Sequence, residues 1–176
     1  MQVAKPCFGI GFKEAPIRAD DLKGRLVCDI LTELVCGEMT PLYRTLYDEG
    51  LVNPEFGAET LIFDGCRCIL FTGETTEPEK VKQLLLAEIA RLRAEGVDEE
   101  LFTLCKNELY GDMICELENI EAVANSMADA RLCGYTLADE LAALAGIQKQ
   151  DLDAALQTML REERSAALLI RPLEEA

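Results

Sequence analysis

Histidine is absent from all 176 residues, and that gap removes whole classes of chemistry. No H-E-x-x-H or H-x-x-E-H metal motif, no Ser-His-Asp triad and no Cys-His pair can be written in this chain. Serine is nearly missing as well: Ser126 and Ser165 are the only two, and neither sits in a G-x-S-x-G turn. Basic residues are scarce, with 17 Lys and Arg against 33 Asp and Glu for a net charge of −16. Such a surface argues against nucleic acid and anionic membranes as partners, because phosphates demand clustered Lys and Arg. No apolar run approaches the roughly 18 residues of a membrane helix, and no leader peptide is expected from the opening residues. Cytoplasmic is the expected location.

Eight cysteines are present without a C-x-x-C pair, which excludes a zinc ribbon and a thioredoxin-type centre. Cys66 and Cys68 alternate on one strand face. Cys28, Cys36, Cys105, Cys115 and Cys133 fall among apolar residues in helical stretches and are expected to be reduced core thiols. Gly9-x-Gly11 lacks the third glycine of a dinucleotide fingerprint, and no P-loop sequence occurs. Glu116, Glu118 and Glu121 lack the ordered ligand spacing of a calcium loop and read as a charged helix face.

The apolar pattern predicts the following order. A strand spans Val3 to Lys13. A helix capped by Asp20 or Asp21 runs to Cys36, and a shorter one runs from Thr40 and Pro41 to Gly50. Strands Phe56–Phe63 and Cys66–Thr72 are joined by the turn signal Asp64-Gly65. A long amphipathic helix opens near Thr76–Pro78 and ends at Gly96, and Asp98 restarts the helical pattern with Leu101, Leu104, Cys105, Leu109 and Ile114 on its stripe. Helical stretches then run to Gly134, from Thr136 to about Ala145 and from Gln150 to Arg161. A final buried strand lies within Ser165–Pro172. Terminal strands and a mid-chain hairpin predict an α+β class: a single layer of mostly antiparallel sheet covered by helices on one face. With no linker or repeat, residues 1–176 are expected to form one domain. Its strand-like opening predicts a piece of a longer chain.

The cadence carries more than its separate motifs. Phe8-Gly9-Ile10-Gly11-Phe12-Lys13 is followed by a helix ending in Leu34-Val35-Cys36-Gly37, then by Glu38-Met39-Thr40-Pro41-Leu42-Tyr43-Arg44-Thr45-Leu46-Tyr47-Asp48-Glu49-Gly50-Leu51. Gly73-Glu74, a Pro78-led helix ending at Glu95-Gly96, Lys106, Gly111 and Glu121-Ala122-Val123-Ala124 continue the series to Pro172. This order resembles the pitrilysin/insulinase zinc peptidases, in their bacterial form. The resemblance implies a LuxS/mitochondrial processing peptidase-like metallohydrolase domain, in a protein of two homologous halves closing on an unfolded peptide. One half of such a protein carries H-x-x-E-H, zinc and the general base. A histidine-free chain resembles the other half, which encloses substrate and is inactive alone.

The resemblance therefore implies no cofactor in this chain, zinc in the catalytic half, and that half plus an unfolded peptide as partners. Many such second halves hold substrate with an arginine followed seven residues later by a tyrosine. Here Tyr47 occupies the arginine's place, Val52-Asn53-Pro54 stands in the tyrosine region, and Arg44 lies one helical turn earlier. Tyr43, Arg44 and Tyr47 are the candidate substrate-binding residues, against the plainer reading that such side chains cover apolar surface. Two rival functions stand beside this one: an inactive scaffold that binds a partner protein, and an unrelated enzyme using cysteine or carboxylates.

Overall fold

Alternation at the first strand sets the layering. In a computed structural model that describes residues 5–63 and 65–172, strand β1 (Cys7–Glu14) buries Phe8, Ile10, Phe12 and Glu14 and turns Cys7, Gly9, Gly11 and Lys13 the other way. It lies between two antiparallel partners. On one side β3 (Cys66–Glu74) pairs with Ile10 opposite Phe71; on the other β4 (Ser165–Ile170) pairs with Gly9 opposite Leu168. Strand β2 (Gly57–Phe63) pairs antiparallel with β3, Phe63 opposite Cys66, giving the order β2-β3-β1-β4. Gly65, at φ 71°, supplies the left-handed residue that the tight turn requires. Asp64, the other half of that turn signal, and Val3, where the first strand was expected to start, lie outside the described residues.

Helices cover the inward face. Helix α1 (Leu22–Cys36) buries nine residues, Leu26, Ile30, Leu31 and Leu34 among them, and begins where the Asp21 carboxylate accepts from the Gly24 N–H. Asp20, the alternative cap, pairs instead with Arg18. Helix α2 (Pro41–Asp48) follows, and α3 (Pro78–Glu95) buries Val81, Leu85, Ile89 and Leu92 on one stripe. Then come α4 (Glu99–Glu116), α5 (Ile120–Cys133), α6 (Leu137–Gly146) and α7 (Lys149–Thr158). Phe12 and Phe71 meet edge to face, 5.9 Å between centroids, at the centre of one contiguous core. Each such fully buried side chain contributes roughly 1.5–3 kcal/mol. No helix among the described residues is long and apolar enough to cross a membrane.

Three expectations need correction. The final strand is not buried: β4 ends the sheet among the described residues, and Ala166, Ala167 and Leu168 are exposed. An edge strand on an uncovered face has no neighbour to remove it from water. On α4 only Phe102 and Cys105 are buried, while Leu104 and Ile114 are exposed; this helix meets the core along one narrow line, on which Leu101, Leu109 and Met113 pack partly buried. For the same reason Cys115 is exposed, and Cys133, near the rim of α5, is half-buried, whereas Cys28, Cys36 and Cys105 are buried as expected.

Candidate functional site

Helix α2 is short but firmly held. Thr40, almost fully buried, accepts from the Tyr43 N–H at 3.1 Å and donates its hydroxyl to the Gly37 carbonyl at 2.8 Å. Pro41 at the first helical position costs no hydrogen bond there. Leu42 and Leu46 anchor the inner face in the core, and Lys80 of α3 pairs with Glu49 at 2.8 Å just beyond the helix end. These anchors fix the direction of the remaining side chains.

Tyr43 and Tyr47, four residues apart, project from one face. Their rings stack with centroids 6.0 Å apart and an interplanar angle of 9°. Tyr43 stacks in turn on Phe56 at 6.3 Å, and Phe56 approaches Phe8 of β1 at 6.0 Å. A continuous aromatic ladder thus runs from half-exposed Tyr47 to the sheet, reaching it at the residue preceding β2. Tyr43 is buried within it and offers no free face, while Arg44 turns to the exposed side of the helix. The structure therefore brings Tyr43 and Tyr47 together and leaves Arg44 apart. Gly73 completes the ladder, since a Cβ there would sit 3.1 Å from Phe8 and 3.2 Å from Phe56. In the sequence Phe56 marks only the start of a strand; its aromatic ring at the edge of a run of β-favouring residues is the one signal of its second role. Asn53, in the segment where a tyrosine was expected, donates from Nδ2 to Glu74 at 3.2 Å and holds the loop to the end of β3.

Beside the ladder lies the outer sheet face. Gly9 and Gly11 form the floor of a trough of about 620 Å³ whose sides include Leu70, Thr72, Ala166 and Leu168. No helix among the described residues covers this face, and Leu168 is 64% exposed. For an extended peptide the hairpin offers one free edge among the described residues: β2 is an edge strand and its partner β3 is interior, while β4 provides a second edge across the sheet. Lys106 has a structural place, its ammonium accepted by the Ala145 and Ile147 carbonyls at 2.8 Å each, closing the end of α6. Among the described residues no group of three or more His, Cys, Asp or Glu side chains is placed to hold a metal ion. Without histidine, the donor set does not fit a zinc site of the H-x-x-E-H type.

Residues 1–109 match the Peptidase M16 inactive domain. The uncharacterized zinc protease YmfH of Bacillus subtilis (strain 168) is 22% identical over 151 residues, which are 86% of this chain and 35% of that protein. A putative M16-like peptidase from Alicyclobacillus acidocaldarius superposes with a TM-score of 0.90 at 24% identity, over 98% of this chain and 42% of its own. The inactive peptidase domain of a putative zinc protease from Bordetella parapertussis shares the fold over nearly its whole length: TM-score 0.79, 14% identity, 99% of this chain and 97% of that one. The chain spans well under half the length of the first two. Fold, missing donor set and sequence match agree: the chain belongs to the Peptidase M16 inactive domain family, the non-catalytic halves of insulinase-like zinc peptidases.

Proposed function

We propose that this chain is the substrate-enclosing wall of a two-half zinc peptidase and is inactive alone. Zinc and the general base belong to the catalytic half. This half confines and positions the peptide that the catalytic half would cleave, a contribution made through orientation rather than bond chemistry. The ladder from Tyr47 to Phe56 carries the reading. It ends where the edge strand β2 begins, so an extended peptide adding to that edge through main-chain hydrogen bonds has an aromatic surface at one end. The uncovered apolar trough supports a covered interface with the catalytic half, since isolated chains rarely leave such a face to water.

In this reading residues 1–176 are one domain, either joined to the catalytic half in a longer chain or paired with it as a subunit. Nucleic acid and membranes are not partners. The location is cytoplasmic, in keeping with eight unpaired cysteines. A competing reading, a scaffold that binds a partner without hydrolysis, draws on Tyr47 standing in the place of the arginine. Mixing the chain with the zinc-bearing half separates them: an enclosing wall restores cleavage of an unfolded peptide, and a scaffold binds without restoring it.

A further inference from the structure

A second cleft, sharing no residue with the aromatic ladder, opens where the loop at Ile17–Ala19, the first turns of α1, β2 and the end of α5 meet; its volume is about 600 Å³. Its walls are partly apolar. Ile17, Ile62, Phe63 and Leu132 line it, and the last two lie 63% and 85% exposed. Its polar groups, Arg18, Arg25, Asp29, Thr60 and Asp129, differ in how they are engaged. Arg25 donates to the Tyr135 hydroxyl and lies 5.8 Å from that ring. Arg18 is paired with Asp20 at 2.8 Å. Neither Asp29 nor Asp129 takes part in an ion pair among the described residues. Beside Asp29 the Thr60 hydroxyl is buried without a hydrogen bond of normal geometry.

The charge balance selects the ligand. An anion entering here would meet Asp29 and Asp129, with Glu140 behind them, while both arginines are already engaged. A chain of net charge −16 adds to the repulsion. A cation finds two carboxylates outside any close ion pair, Asp129 and Asp29, the latter with Arg25 and the Thr60 hydroxyl beside it. We propose that this cleft binds an organic monocation, an amine or guanidine on an apolar stem, with the stem against Phe63, Ile62 and Leu132 and the head at Asp29 and Thr60. Such a head is carried by a free small amine or by a lysine or arginine side chain of a peptide, and the chemistry recognised is the same. Concave apolar walls with a few convergent polar groups at one end are the usual form of a small-ligand site. The groups facing Asp29 are Arg25 on its own helix, Thr60 on β2 and Glu140 on α6. Burial raises the Asp29 carboxyl to about 6, so a cation that needs the ionised form binds more tightly as pH rises through that value.

The test is an amide-resolved NMR titration of the whole chain at pH 7.5 with 4-phenylbutylamine and, separately, with N-acetyl-Phe-Lys-amide. 4-Phenylbutanol serves as the neutral control. The expected result is saturable shifts confined to residues 17–32, 60–63 and 129–135, with a dissociation constant on the order of 1 mM for so small a ligand. Tighter binding of the amine points to a free small molecule, and tighter binding of the dipeptide to a partner's side chain. Asp29→Asn is expected to weaken binding tenfold or more, about the loss of one charge-assisted contact. Leu132→Ser, at an exposed position that leaves folding intact, is expected to weaken it about threefold through lost apolar contact. Equal binding of the alcohol, unchanged binding by both variants, or no localised shifts below about 10 mM would overturn the proposal.

Discussion

Tyr47 lies flat on Tyr43, their ring planes within 9° of each other, and only Tyr47 has a face left for another molecule. The two positions are therefore expected to separate function from stability. Tyr47→Ala should change the unfolding free energy by less than about 1 kcal/mol, as surface substitutions do, yet raise the KM of the reassembled peptidase several-fold. Tyr43→Ala opens a gap in a buried stack and is expected to cost about 3–5 kcal/mol. Urea unfolding and peptide-cleavage kinetics on the same preparations measure both. Equal effects on stability would contradict the assignment of Tyr47 to the surface.

Glu14 closes the chain on itself. Its carboxylate, buried at the end of β1, accepts from the Leu160 N–H at 2.7 Å and from Arg164 at 3.2 Å. Leu160 is held there with φ at 53°, a left-handed conformation that costs a branched residue roughly 1–2 kcal/mol. Glu14→Ala leaves a buried N–H without an acceptor and is expected to lower stability by about 2–3 kcal/mol. Glu14→Gln keeps an acceptor oxygen and should lose less. Chemical denaturation of the two variants gives the comparison, and equal losses would show that the hydrogen bond to Leu160 is not what holds this turn.

Thiol reactivity maps the layers. Burial pushes the Cys28 thiol up to about 11 against the opposing pull of Arg67, and burial takes Cys36 and Cys105 up to about 12. Thiolates are the reactive form, so these three should resist modification at pH 8 until the chain unfolds. Exposed Cys66 and Cys115 should react first. Mass spectrometry after brief alkylation distinguishes the two sets. Rapid loss of peptidase assembly on modifying Cys28 in the folded chain would instead revive a thiol-based role.

Asp29 gives stability a pH signature. Burial raises its carboxyl from 3.8 to about 6, with Arg25 opposing. Between those values the folded state holds a proton that the unfolded chain has released. Its stabilising contribution is therefore present below about pH 4 and is lost as pH rises through about 6. Asp29→Asn should be more stable than the native chain at pH 7.5, by up to about 2–3 kcal/mol, and no more stable at pH 4. Thermal melts at the two pH values decide it; a gain that is the same at both would place Asp29 in water.

Much of this architecture is legible in the residues. Thr40-Pro41 states the start of α2, the spacing of Val81, Leu85, Ile89 and Leu92 states the buried stripe of α3, and Asp20-Asp21 places the cap of α1 to within one residue. Such signals are local, set by side chains within one or two turns. The order β2-β3-β1-β4 is not local. An apolar run such as Ala166-Ala167-Leu168-Leu169-Ile170 reads as buried whether it lies inside the sheet or at its edge, because hydropathy does not say how many neighbours a strand has. The site was half legible. Tyr43 and Tyr47 share a helical face by spacing alone, but their stacking continues to Phe56 and Phe8 through a contact between distant segments. In the sequence Asp29 and Arg25 each look like a polar interruption of the α1 stripe; only the approach of β2 and α5 makes them the base of a cleft.

The central claim is that this half confines a peptide and does not cleave it. Cleavage of an unfolded, internally quenched peptide, measured for this chain alone, for the zinc-bearing half alone and for the two together, tests it most directly, with zinc determined on each sample. The account predicts no zinc and no cleavage from this chain, little from the other half, and a large gain on mixing that Tyr47→Ala reduces. Stoichiometric zinc and cleavage by this chain unaided, or tight association of the halves with no gain in cleavage, would contradict it.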